Sequence, residues 1–217
     1  VVGAPQAQHF QMVFAVARMA GWVPETTELV HVAFGNVLGS DRRMLRSRSG
    51  ETVKLSELLD EAVSRAAAAV AEKNPDLSEA ERQRVAEMVG IGAIKYADLS
   101  NDRIKDYVFD FDRMLAFEGN TAPYLQYAHA RIRSIFRRAE IDPESVRAIT
   151  PQLGEPQERA LALAILGFDA AVQGALDGYA PHRLCTYLFE LASAFTSFYE
   201  ACPVLKAPDE ATRASRL

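Results

Sequence analysis

From residue 55 to the end, apolar side chains recur at three- and four-residue spacing with few interruptions, the pattern of amphipathic helices packed on a core. Leu55, Leu58, Leu59, Ala62, Val63, Ala66 and Val70 predict one helix, closed by Asn74-Pro75. Ser78-Glu-Ala-Glu81 is a capping box that opens the next, which runs through Val85, Met88, Val89 and Gly92 toward Tyr96. Asn120 or Thr121 can cap a third, with Pro123 in its first turn and Leu125, Ala128, Ile132, Ile135, Phe136 and Ala139 along one face. Further helices are predicted from Pro156 to Gly174 and from Pro181 to Ala201, the second with a stripe of Leu184, Leu188, Leu191, Phe195 and Phe198. Asp209 to Leu217 reads as the opening of one more. Tyr107, Phe109 and Phe111 alternate instead, which predicts a short extended segment at a core edge.

Before Pro75 the pattern changes. Val1-Val2 reads as the tail of a strand, Gly3 to Gln6 as a loop, and Phe10, Val13, Phe14 and Ala17 as one face of a helix that ends at Gly21. Glu28 to Phe34 alternates well enough for a second strand. The expected fold is therefore mainly α: a helical bundle preceded by a small α/β remnant that resembles the last βαβ portion of a nucleotide-binding sheet. Pro75-Asp76-Leu77 marks the boundary, giving units 1–76 and 77–217. Ligands of such sheets bind at the carboxyl ends of strands, where Gln6 and His9 fall. A histidine at a helix start that makes only a local hydrogen bond is the plainer reading of His9.

At 217 residues and 49% apolar content the chain can bury a substantial core. A formal charge of −5 argues against a protein that coats nucleic acid non-specifically, yet it leaves room for a focused basic patch. Cys185 and Cys202 sit in apolar helical sequence with no Cys or His at metal spacing, so buried reduced thiols, no metal site and a cytoplasmic setting are expected. No apolar run is expected to reach membrane-spanning length, and neither a membrane nor DNA is an expected partner. The start lacks both Met and a signal-like basic flank, and the end lacks a helix terminator, so the chain is expected to be an excised fragment.

Two stretches carry candidate chemistry. Ser40 to Gly50 is polar and flexible in composition, with Arg42, Arg43, Arg46 and Arg48 separated by small residues; such a loop beside a nucleotide-type sheet can close on a polyphosphate, or it is simply an exposed basic loop. Tyr124, Tyr127, Arg131, Ser134 and Arg138 form a stripe at helical spacing, with Arg133 and Arg137 close by. Phenol faces and guanidiniums suit single-stranded RNA, whereas half-buried tyrosines beside a solvated basic face would give the same pattern.

Five stretches decide between these alternatives by resemblance: Val2 to Phe10, Thr52 to Glu61, Val89-Gly-Ile-Gly-Ala-Ile-Lys-Tyr-Ala-Asp-Leu99, Met114 to Tyr127 (with Phe117-Glu-Gly-Asn-Thr-Ala-Pro-Tyr-Leu-Gln-Tyr127), and Ala194 to Pro203. Together they resemble the C-terminal half of the bacterial arginyl-tRNA synthetases, class I enzymes, over essentially the whole chain. The resemblance implies that Gln6 lies in an arginine pocket with His9 near the nucleotide. It implies that Leu45 to Gly50 is the signature loop that elsewhere reads Lys-Met-Ser-Lys-Ser, with Arg46, Ser47 and Arg48 as catalytic candidates. Arg keeps the charge there but not the compact ammonium of lysine. Beyond Pro75 the implied unit is a DALR-type anticodon-binding domain, with Tyr127 and Tyr199 against anticodon bases and Arg131 as a phosphate partner.

The implied substrates are arginine, ATP with Mg2+, and the arginine-accepting tRNA. The His-Ile-Gly-His-type ATP signature would precede Val1 and a final helix would follow Leu217, so the isolated piece is expected to be unable to form arginyl-adenylate. Rival readings are a non-catalytic helical module that binds RNA or protein, which would not need Gln6, His9 or the arginine loop, and a cysteinyl-tRNA synthetase fragment.

Overall fold

The computed structural model describes residues 1–44 and 53–217. Strand β1 (Val2–Gly3) leads through a single 3-10 turn, Ala4–Gln6, into α1 (Ala7–Met19), and β2 (Ala33–Phe34) returns to lie parallel to β1, with Val2 opposite Ala33. The predicted strand over residues 28–34 shrinks to its last two residues. Just before it, a side chain replaces the ladder: the His31 ring stacks on Phe10 at 5.1 Å between ring centres, and its Nε2 lies 2.9 Å from the Val2 carbonyl oxygen.

Helices α2 (Leu55–Lys73) and α3 (Glu79–Ser100) form an antiparallel hairpin. The Ser78–Glu81 capping box opens α3 as the sequence predicts. Ala62, Ala66 and Val70 of α2 are buried against Ala86, Gly90, Ala93 and Ile94 of α3, and the close approach depends on Gly90. A Cβ at that position would fall 2.7 Å from the backbone carbon of Ala62. After α3 the chain runs back to pair β4 (Tyr107–Val108) in parallel with β3 (Val37–Leu38). Phe109 is buried beside Ala62, Ala93, Ile94 and Met114. The predicted extended segment thus stops short of Phe111, because Asp110 accepts hydrogen bonds from the amides of Asp112 and Arg113 and starts α4 (Phe111–Met114).

The second core lies between α5 (Ala122–Ala139) and α8 (Pro181–Ala201), where Ala128 and Ile135 meet Ala192, Phe195 and Phe198, closed by Cys202 and Val204. Thr121 caps α5: its hydroxyl accepts from the Tyr124 amide at 3.3 Å and donates to the Ala116 carbonyl at 2.7 Å. Both cysteine thiols are buried, and burial pushes each of them up from the usual thiol range.

The helix predicted from Pro156 to Gly174 is two helices, α6 (Pro156–Leu166) and α7 (Phe168–Asp177), joined at Gly167. Within residues 156–177 an 18-residue window has a mean hydropathy of 1.5, so that by length and composition the stretch could cross a membrane, contrary to the expectation that no such run exists. The apolar periodicity continues through the joint because both halves lie against α8: the Tyr187 hydroxyl donates to the Ile165 carbonyl of α6 at 3.4 Å, and Arg183 donates to the Gly174 carbonyl of α7 at 3.3 Å. The last helix, α9 (Glu210–Arg216), is tied to the start of α6 by a buried pair in which Arg216 Nε donates to Glu158 Oε1 at 2.6 Å.

Candidate functional site

Tyr127 and Arg131 lie one turn apart on α5, and α5–α8 packing brings Tyr199, in the last turn of α8, to the same place. The Arg131 guanidinium carbon is 4.6 Å from the centre of the Tyr127 ring and 4.8 Å from that of Tyr199, and Nη2 donates to the Tyr127 hydroxyl. A guanidinium facing two phenol rings gains about 0.5–1 kcal/mol from each at partly exposed sites. That attraction holds three side chains from two helices as one unit. Beneath it, Tyr199 rests on Phe195 at 6.0 Å between ring centres, so the unit is anchored in the core. Tyr127 remains 50% exposed, which leaves ring surface open to solvent. Arg133, Arg137 and Arg138 are exposed on the same helix and supply a local positive field despite the acidic chain.

Tyr124 does not share this surface. Its hydroxyl lies 3.3 Å from Thr196 Oγ1 and its ring 5.7 Å from that of Phe189, so the tyrosine stripe of the sequence splits into one core residue and one surface residue.

Gln6 and His9 are placed by β1 and the turn that follows it. Gln6 ends the 3-10 turn and precedes α1; His9 is in the first turn of α1 with its ring edge-on to Phe10 at 5.6 Å. Both are exposed at the carboxyl end of β1. Among the described residues no hydrogen bond or ring contact joins them to the Tyr127 cluster. Gly39 to Arg43 closes a tight turn, with the Gly39 amide donating to the Arg43 carbonyl at 2.8 Å and Arg42 at φ +59°. Arg46, Ser47 and Arg48 lie outside the described residues.

Residues 1–111 match the family profile of the catalytic domain of the class I tRNA synthetases (R). The chain belongs to the arginyl-tRNA synthetase family. Residues 125–217 match the DALR anticodon binding domain, so an arginyl-tRNA synthetase catalytic region is followed here by an anticodon-binding one. The arginine–tRNA ligase of Thermobifida fusca is 60% identical over the whole chain, and that of Chromobacterium violaceum is 52% identical. The chain spans 37% of the length of each of these relatives. Among solved structures, the Thermus thermophilus arginyl-tRNA synthetase superposes over 100% of the chain and 36% of its own with a TM-score of 0.84 at 36% identity. The Plasmodium falciparum enzyme has the same coverage, with a TM-score of 0.83 at 32% identity. The choice between the arginyl and cysteinyl families is thereby made for the arginyl one.

The sequence reading does not single out Glu158 or Arg216, which hold α9 so that Leu217 packs on the same core as Tyr199. Half of that device was visible, since Glu155-Pro-Gln-Glu158 forms a capping box in which the Glu155 amide donates to Glu158 Oε2 at 2.9 Å. Burial pushes the Glu158 carboxyl up, but the Glu155 amide and the Arg216 guanidinium outweigh it and hold the group below the usual carboxylate range.

Proposed function

We propose that the protein carrying this chain is an ATP-dependent arginine–tRNA ligase, to which these residues contribute the signature loop and the recognition of the anticodon. The observation that carries the proposal is the convergence of Tyr127, Arg131 and Tyr199 within an anticodon-binding region of the arginyl family. Tyr127 and Tyr199 stack on anticodon bases and Arg131 neutralises a neighbouring phosphate.

In this reading the arginine carboxylate attacks the α-phosphate of ATP, pyrophosphate departs, and a terminal ribose hydroxyl of the tRNA then takes the arginyl group as an ester. Gln6 orients arginine, and His9 lies near the nucleotide. Arg46, Ser47 and Arg48 close on the departing pyrophosphate, where cationic groups stabilise charge as it develops. ATP arrives with Mg2+, which screens the phosphates. The two units divide at residues 76 and 77, and β4 crosses that division to pair with β3. Buried reduced thiols at Cys185 and Cys202 fit a cytoplasmic setting. The chain holds no His-Ile-Gly-His-type signature. An isolated polypeptide of this sequence therefore forms no arginyl-adenylate, and arginine-dependent exchange of pyrophosphate into ATP by it would refute that point.

The direct test is ATP-dependent attachment of labelled arginine to tRNA by the full-length enzyme. Arginine-specific charging that collapses in Arg48→Ala is expected. Absence of charging in the wild type, or charging with a different amino acid, rejects the reading.

A further inference from the structure

We infer that Arg103 sets the helical bundle in register with the strand pair that leads to Gln6 and His9, and is thereby a positioning residue for aminoacylation; this rests on the ligase reading above. Its half-buried guanidinium is committed to carbonyls from two distant parts of the chain. Nη1 donates to Ala33 on β2 at 2.6 Å, Nε to Tyr179 at 2.8 Å, and Nη2 to Gly178 at 3.2 Å. Ala33 sits opposite Val2 on β1, the strand whose end leads directly to Gln6 and α1. Gly178 and Tyr179 form the turn between α7 and α8, with Gly178 as the C-cap of α7. Carbonyls left unpaired at a helix end, together with the negative end of its dipole, favour a cation there. A planar fork with fixed donor directions can serve both parts at once; a compact ammonium cannot.

The contact is reinforced around Arg103. Its own carbonyl accepts from the Gly35 amide at 2.7 Å, and Asp106 Oδ1 accepts from both the amide and the side chain of Asn36. There is no room for a side chain at Gly35, because a Cβ would fall 2.6 Å from the backbone carbon of Lys105. On the bundle side, Tyr179 is held at φ +48°, a left-handed conformation that its surroundings must maintain.

Helix α8 begins two residues after Tyr179 and carries Tyr199 in its last turn. Its 21 residues span about 30 Å at the ordinary rise of an α-helix. The clasp holds one end of that rod and the tyrosine cluster sits at the other, so a change of angle at Arg103 becomes a displacement at the anticodon site. A tRNA bound at Tyr127 and Tyr199 then presents its terminus away from the reacting groups. Binding survives, and the chemical step suffers.

The test uses the full-length enzyme with Arg103→Gln, Arg103→Lys and, as an independent perturbation of the same clasp, Gly35→Ala. Each is expected to lower kcat for charging the arginine tRNA about tenfold, since misplacement on the ångström scale is enough for that. The tRNA dissociation constant should stay within about twofold in all three and the melting temperature nearly constant in the two Arg103 variants, whereas Gly35→Ala, which forces a Cβ against the Lys105 backbone, lowers the melting temperature as well; the kcat advantage over an anticodon-swapped tRNA should shrink in each. An unchanged kcat in folded Arg103→Gln overturns the inference, as does full recovery in Arg103→Lys, which would make charge alone sufficient. A joint fall of kcat, tRNA affinity and melting temperature in all three variants overturns it too, by making Arg103 a stability residue only. Wild-type enzyme that fails to charge tRNA with arginine rejects the ligase reading itself, whatever the variants do.

Discussion

The guanidinium carbon of Arg131 on α5 lies 4.8 Å from the ring centre of Tyr199 on α8, and the same group covers the ring of Tyr127 at 4.6 Å. Two helices therefore share one aromatic and cationic unit whose parts hold each other in place. On the proposed reading, removing Tyr199 costs a base contact, and it also frees Arg131 from one of its two rings. We expect Tyr199→Ala to weaken binding of the arginine tRNA by about 1–3 kcal/mol, and Tyr199→Phe to stay close to wild type, because the face and not the hydroxyl does the stacking. Equilibrium binding of both variants checks this; equal losses in Phe and Ala would contradict it.

Arg131 has a separable electrostatic contribution. If its outward N–H groups meet one phosphate, Arg131→Ala lowers the slope of log K against log salt by about 0.7, the value for one single-strand phosphate. A binding series over salt concentration measures that slope. An unchanged slope with weakened binding would make Arg131 a stacking partner alone.

The α2–α3 hairpin depends on close backbone approach at Gly90. A Cβ there would meet the backbone carbon of Ala62 and the nitrogen of Val63 at 2.7 Å, and neither is the movable end of a side chain. Gly90→Ala is expected to destabilise the fold by about 1–3 kcal/mol through overpacking, against the usual helix-stabilising effect of that change. Denaturant unfolding of the two proteins tests it, and a more stable Ala variant would show that the helices can separate cheaply.

Acid should loosen the last helix. The folded-state pKa of Glu158 lies below its unfolded value, so its stabilising contribution is complete above the ordinary Glu range and is lost as pH falls through the folded value. Glu158→Gln leaves Arg216 buried without its counter-charge and is expected to cost about 3 kcal/mol at neutral pH. The variant should also lose part of the acid dependence that the wild type shows in melting experiments. Identical pH profiles for both proteins would remove Glu158 from the account.

Local rules were legible in the sequence where they act within a few residues. The Ser78 capping box and Thr121 before Pro123 are side chains that meet their own helix ends, and Pro181 in the first turn of α8 and Asn74-Pro75 after α2 mark bounds through proline's own backbone limits. What depends on distant partners was not legible. Val37 and Tyr107 give no sign that they will pair, and Gly167 gives no sign that Tyr187 waits beside it. At the site, the one-turn spacing of Tyr127 and Arg131 was readable on α5, while the arrival of Tyr199 came from helix packing and from the resemblance. Tyr124 misled because a core tyrosine and a surface tyrosine have the same spacing, and only the partners Phe189 and Thr196 tell them apart.

The most direct test is binding of the full-length enzyme, wild type and Tyr127→Ala, to the arginine tRNA and to an anticodon-swapped copy at matched salt. The wild type is predicted to prefer the cognate anticodon, and folded Tyr127→Ala to lose about 1–3 kcal/mol on the cognate tRNA and most of that preference. Equal affinity of the two proteins for both tRNAs would contradict the assignment of Tyr127, Arg131 and Tyr199 to the anticodon.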